Sequence, residues 1–326
     1  MKKLVTFILV LCLVLGMGTV AFADEIEYED HSEVVITKTF TKKNGDIPDT
    51  KFTFTIGKGT GVRDGVKIDA PDLTSSLIIT VKGEEENGTG TIALPEVGKG
   101  KNKFSGVGVY TYEITEENSN IAGVTYDGKR ILKIYVFNNE DGEGYIRVPV
   151  LLNADEKSEG FENSFNTGTL TVYKEVTGNM GDKQRKFYIT VTLTAPEGKT
   201  VTAPIYVGEN TDKPHTFDKD GKLEIKLDLA HSEGITISNI PYGVTYEVTE
   251  TLPEGLGYKK PKITYSDSDK VINEGEAPDS VTVTNEKDVS IETGINLDNA
   301  PYIAILAVAI GGLALFLIRR RMAVNL

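Results

Sequence analysis

The chain has 326 residues, a formal net charge of −13 and a pI near 4.9. That acidic balance excludes nucleic acid as a partner and suits an exported, soluble surface. Its one cysteine, Cys12, leaves no disulfide framework and no Cys–His nucleophile to consider.

In chain order, Lys2 and Lys3 precede an apolar run from Leu4 to Val14, and "AFA" at 21–23 supplies small residues at the cleavage positions. Residues 1–23 read as a secretory signal peptide cleaved after Ala23. Cys12 lies inside it, without the small residue directly before it that a lipoprotein site would need. From 24 to about 290, Val, Ile, Thr, Tyr and Phe fall in short alternating runs separated by Gly, Asn and Asp, which predicts an all-β fold. "NNEDGEG" (138–144) and "SDSDK" (266–270) lack the acidic spacing of a calcium loop and read as solvated turns. His31, His215 and His231 show no ligand spacing, so neither a metal nor any other cofactor is expected. At the far end, "PYIAILAVAIGGLALFLI" (301–318) is followed by "RRR" (319–321). At ~1.5 Å per residue this segment just spans a bilayer, with the arginines inside.

An internal repeat divides the exported part. "VVITK" (34–38), "KFTFTI" (51–56), "GVYTYEITEE" (108–117) and "FEN" (161–163) recur in the same order as "LTVYK" (170–174), "KFYITV" (186–191), "GVTYEVTET" (243–251) and "VTN" (283–285). The repeat predicts domains at 24–165 and 166–287, joined through the polar "NTG" that starts at 166, with 288–326 as a C-terminal signal.

Side chains alternate between the faces of a strand. Lys38 shares a face with Val34, Ile36 and Phe40, Glu116 with Tyr110, Tyr112 and Ile114, and Asn163 with Phe161 and Phe165. In the second half, Lys174 shares a face with Leu170, Val172 and Val176, Glu250 with Val244, Tyr246 and Val248, and Asn285 with Val281 and Val283. Each domain therefore carries one Lys, one Glu and one Asn on apolar faces. An unpaired buried charge is too costly to keep. One outcome is a buried Lys–Glu ion pair with the Asn hydrogen-bonded to it, a weak source of stability. The other is covalent. Burial lowers a lysine pKa and raises a glutamate pKa, so the proton can sit on Glu and leave a neutral amine beside the Asn amide. Loss of ammonia would then join Lys to Asn.

These motifs, with "FENSFNTGTLTVYKEVTG", "YEVTETLPEGLGY" and "VTVTNEKD", resemble the major backbone pilins of Gram-positive bacteria of the streptococcal type. The resemblance covers nearly all of the chain and implies two tandem immunoglobulin-like β-sandwich domains. It implies Lys38–Asn163 and Lys174–Asn285 isopeptide bonds, with Glu116 and Glu250 as catalytic residues of their formation; "YEVTETLPEGLGY" resembles the pilin E-box. "SIETG" (290–294) ahead of the apolar span resembles a cell-wall sorting signal, which implies sortase cleavage between Thr293 and Gly294. In "SIETG", Ser290 and Ile291 replace the usual Leu and Pro. Lys157, in "NADEKSEGFEN", is the candidate acceptor for linkage to the next subunit, because the linking lysine of the family lies in this segment. The function implied is structural and non-enzymatic: the shaft subunit of a covalent pilus at the cell wall. Its partners would be identical subunits, sortase, peptidoglycan or a basal pilin, and a possible host surface ligand. The alternative is a monomeric cell-wall-anchored adhesin of the same domains.

Overall fold

The computed structural model describes residues 28–140, 142–274, 278–290 and 300–324. The signal peptide and the Thr293–Gly294 pair lie outside the described residues.

Strands of the first half are β1 (Glu33–Lys43), β2 (Thr50–Ile56), β3 (Thr60–Arg63), β4 (Val66–Ile68), β5 (Ser76–Val81), β6 (Asn87–Ala93), β7 (Gly108–Glu116), β8 (Val124–Thr125), β9 (Lys129–Asn138), β10 (Tyr145–Asn153) and β11 (Glu156–Lys157). Next comes β12 (Gly160–Thr177), which belongs to both halves. The second half adds β13 (Phe187–Thr194), β14 (Ile205–Val207), β15 (Asn210–His215), β16 (Lys222–Leu229), β17 (Gly234–Pro241), β18 (Thr245–Glu250), β19 (Lys262–Tyr265) and β20 (Asp279–Glu286). Helix α1 (Ala300–Val324) follows. It is the one described helix long and apolar enough to cross a membrane.

Each half is an immunoglobulin-like sandwich of two packed sheets. In the first, β6, β1 and β12 face the sheet ordered β11-β10-β9-β7-β2-β5. In the second, a sheet containing β17, β12, β20 and β19 faces the three strands β16-β13-β18. Two apolar cores fill the interlayers. Ile36, Phe40, Phe52, Tyr112 and Phe165 belong to one; Leu170, Val172, Val191, Ile237 and Val283 belong to the other.

The polar stretch expected as a link is not a loop. Asn166, Thr167 and Gly168 lie inside the 18-residue β12. What changes there is phase. Phe161, Asn163, Phe165 and Thr167 point inward, then Leu170, Val172, Lys174 and Val176 do. The switch falls at a register shift between Gly168 and Leu170. Across that shift Gly168 pairs with Ile240 and Leu170 with Ile237, so the extra residue is on β17, while along β12 the inward residues step by three, from Thr167 to Leu170; one strand thus closes the first core and opens the second. A Cβ at Gly168 would lie 2.8 Å from Ile272 Cγ2, which is why glycine fits at the slip.

The halves also meet through side chains. Asn239, at a φ of 61°, accepts the Asp46 N–H and donates to the Asp46 and Pro204 carbonyls, at 2.8, 2.8 and 2.6 Å. Thr167 Oγ1 donates to the Asn44 carbonyl at 2.7 Å.

Candidate functional site

The first and last strands of each sandwich are adjacent and parallel, and that pairing brings distant residues together. Lys38 on β1 stands opposite Phe161 of β12, and Asn163 stands opposite Phe40. Lys174 on β12 stands opposite Val283 of β20, and Asn285 stands opposite Val176. In both halves the asparagine is thus two residues beyond the lysine's partner, on the same inward face. The glutamate reaches across from the other sheet. Glu116 of β7 is paired with Phe54, and Glu250 of β18 with Ile189, the equivalent positions of "KFTFTI" and "KFYITV".

In the first cluster, Lys38 Nζ is 3.1 Å from Glu116 Oε2, and Asn163 Nδ2 donates to Glu116 Oε1 at 2.6 Å. In the second, Lys174 Nζ is 3.3 Å from Glu250 Oε2, and Asn285 Nδ2 donates to Glu250 Oε1 at 2.5 Å. The lysine and glutamate side chains of both clusters are wholly excluded from solvent. Each ammonium lies over an aromatic ring at the same repeat position, Lys38 over Phe52 at 4.8 Å and Lys174 over Phe187 at 4.5 Å. Lys174 Nζ also donates to the carbonyls of Val283 and Glu175, at 3.0 and 3.2 Å.

Burial sets the protonation chemistry. It pulls Lys38 down to about 8 against the opposing pull of the Glu116 charge, and it pushes Glu116 up against the pull of Lys38. Lys174 is lowered for the same first reason, with Glu250 opposing. In the first cluster both shifts favour the neutral amine and the neutral carboxyl.

Arg130 and Asp127, not among the expected site residues, complete the surroundings of Asn163. Arg130 is 5% exposed on β9, and its guanidinium grips Asp127. The Asp127 N–H in turn donates to Asn163 Oδ1 at 2.7 Å. The signal was present, since Arg130 alternates in phase with Leu132, Ile134 and Val136. Lys157 lies apart from both clusters. It is exposed on β11, an edge strand that among the described residues pairs only with β10.

Residues 34–166 match the family model described as "Spy0128-like isopeptide containing domain", and residues 168–287 match "Domain of unknown function (DUF7601)". A pilin from Streptococcus pyogenes serotype M1 is 29% identical, with 90% of this chain and 92% of that protein covered. The crystal structure of the major pilin from Streptococcus pyogenes superposes with a TM-score of 0.57 at 25% identity, covering 80% of this chain and 100% of that one. The chain is similar to streptococcal major pilins. The pilus tip adhesin Cpa of Streptococcus pyogenes is 30% identical over only 40% of this chain and 18% of the adhesin. The likeness to the major pilin therefore extends over both sandwiches of this chain, and the likeness to the adhesin does not.

Proposed function

We propose that this protein is a pilin, the repeating shaft subunit of a sortase-assembled pilus, and that each of its domains closes with an internal Lys–Asn amide. The observation that carries the reading is the duplicated cluster: the same three residue types, at the same register offset, in two cores. Ion pairs buried this completely are poor stabilisers, and two copies of an unrewarding arrangement call for another role.

The chemistry balances within each cluster. The Lys38 ammonium gives one proton to Glu116 and becomes a nucleophilic amine. Its nitrogen bonds to Asn163 Cγ, and the Cγ–Nδ2 bond breaks. One further amine proton passes through Glu116 to Nδ2, which leaves as ammonia. The product is a neutral amide beside a protonated Glu116, so no charge remains buried. Lys174, Glu250 and Asn285 play the same parts in the second domain. Proximity in a dry core lowers the barrier. Each site reacts once on its own chain and takes no external substrate.

The cross-links would join the first and last strands of each domain. By analogy with disulfides, closing loops of this length contributes about 4–5 kcal/mol through the unfolded state. Tension along the chain would pass through covalent bonds rather than through peelable strand pairs. Between subunits, sortase would hold the Thr293 carbonyl after cleavage before Gly294 and pass it to Lys157, whose exposure supports the assignment. A C-terminal donor and an acceptor elsewhere on the molecule generate an open, head-to-tail filament.

Intact mass tests the internal bonds. The chain should fall short of its sequence mass by two ammonia molecules, with Glu116→Ala restoring one and Glu250→Ala the other. A full sequence mass for the wild type would leave two buried ion pairs and remove the covalent reading.

A further inference from the structure

The two clusters differ around the asparagine oxygen. Asn163 Oδ1 accepts the Asp127 backbone N–H. The Asp127 carboxylate is itself anchored: it accepts the N–H groups of Glu162 and Gly128 at 2.8 and 2.7 Å, and two N–H groups of Arg130 at 3.1 and 2.5 Å. Arg130 Nε donates to the Gly160 carbonyl at 2.9 Å and to Ser158 Oγ at 3.2 Å, and its guanidinium lies 4.9 Å over the Phe161 ring. Gly160, Phe161 and Glu162 all belong to β12, the strand that presents Asn163. The amide can face only one way. Exchanging Oδ1 and Nδ2 would set donor against donor at Asp127 and oxygen against oxygen at Glu116.

In the second cluster Asn285 Oδ1 is buried and has no hydrogen-bond partner among the described residues. The cause is topological. β7, which carries Glu116, is flanked by β9; Arg130 lies at the start of β9 and Asp127 two residues before that strand begins. β18, which carries Glu250, is the last strand of its three-stranded sheet. On its open side Tyr265 Oη accepts the Val248 N–H at 3.2 Å and donates to the Val248 carbonyl at 3.3 Å. Farther along that side an isolated bridge joins Thr245 to Val271, and among the described residues no strand flanks β18 beside Glu250 as β9 flanks β7.

We infer that the Asp127 backbone N–H is an oxyanion donor for the first condensation, that the Asp127 carboxylate and Arg130 are positioning residues that hold it, and that the first linkage consequently forms faster than the second. The inference rests on the condensation reading above. When Lys38 Nζ bonds to Asn163 Cγ, the carbonyl electron pair moves onto Oδ1, where the Asp127 N–H already points. The pair returns to carbon as ammonia departs with its proton from Glu116. A fixed donor costs no reorganisation at that moment and is worth most where water is excluded. The second site lacks this donor among the described residues.

The test follows both linkages in the same molecules. The full chain, recovered unfolded and diluted from denaturant into mild detergent, is stopped in acid at intervals, and tryptic cross-linked peptides report each linkage. The Lys38–Asn163 linkage should lead the Lys174–Asn285 linkage. Asp127→Pro, which removes the N–H, should slow the first linkage by about a hundredfold and leave the second unchanged. Asp127→Ala and Arg130→Gln, which keep the N–H but release its tether, should slow it less; these two decide the matter if the proline variant does not fold. The same substitutions in a Glu116→Ala background report their cost to the fold alone through the melting temperature. Equal rates for the two linkages in the wild type, or an unaltered first-linkage rate in the variants that fold, would overturn the inference while leaving condensation itself intact. Absence of both linkages from the wild type would overturn both.

Discussion

Lys38 has no contact with water, and its titration follows from that. Condensation needs the cluster to hold one shared proton, on Glu116 while the amine is neutral. Below the raised Glu116 pKa a second proton binds and locks the nitrogen as ammonium. Above about 8, the Lys38 value, the shared proton is lost and the carboxylate has none to pass to the leaving nitrogen. The first linkage should therefore form with a bell-shaped pH dependence, its upper limb near pH 8 and its lower limb above the ordinary carboxylate range. Refolding the chain at a series of pH values and counting the linked peptide measures this. A rate that goes on rising above pH 8 would show that the shared proton has no part.

At the level of elements, the close parallel contact between β1 and β12 is what delivers Asn163 to Lys38. Gly160 opens β12 opposite Thr37, and a Cβ there would fall 1.7 Å from the Thr37 carbonyl oxygen. That neighbour is backbone, so the strand itself must move. Gly160→Ala should lower stability by about 1–3 kcal/mol and slow or abolish the first linkage, while the second forms normally. Melting temperature and intact mass report the two effects. A variant that keeps both the wild-type melting temperature and the two-ammonia shortfall would mean that β12 does not depend on this approach.

Across the whole molecule, the joint between domains and the joint between subunits make separate predictions. Asn239 reads the Asp46 peptide group with both ends of its amide, at a left-handed φ that asparagine tolerates well. Asn239→Leu leaves those groups without their partner, at a cost of about 1–3 kcal/mol. It should raise hydrogen exchange at the Asp46 amide and broaden the distribution of interdomain angles in scattering, with both internal linkages kept. Unchanged protection at Asp46 would assign the stiffness of the joint to β12 alone. Between subunits, Lys157→Ala should abolish the high-mass ladder on denaturing gels of cell-wall extract while leaving anchored monomer, and Thr293→Ala should abolish both. A normal ladder from Lys157→Ala would move the acceptor to another lysine.

Alternation of side chains is a property of the chain itself, so Lys38, Glu116, Asn163, Lys174, Glu250 and Asn285 could be placed on apolar faces from the sequence alone, and their repetition singled them out. The all-β class and the apolar C-terminal segment were legible for the same local reason. Arg130 was equally legible by phase, but nothing local says that its guanidinium ends on Asp127 or that the Asp127 N–H ends on Asn163. The second of these contacts joins the residue two before β9 to β12 and depends on strand order, which alternation does not encode. Nor did "NTG" reveal that the chain stays extended through both domains, because a polar Gly-containing stretch fits a turn or a strand equally well until neighbours β1 and β17 pair with it. The residues that can react are written in the pattern of each strand. Their two-residue offset, and the donor present at one site and missing at the other, come from the order in which strands pair.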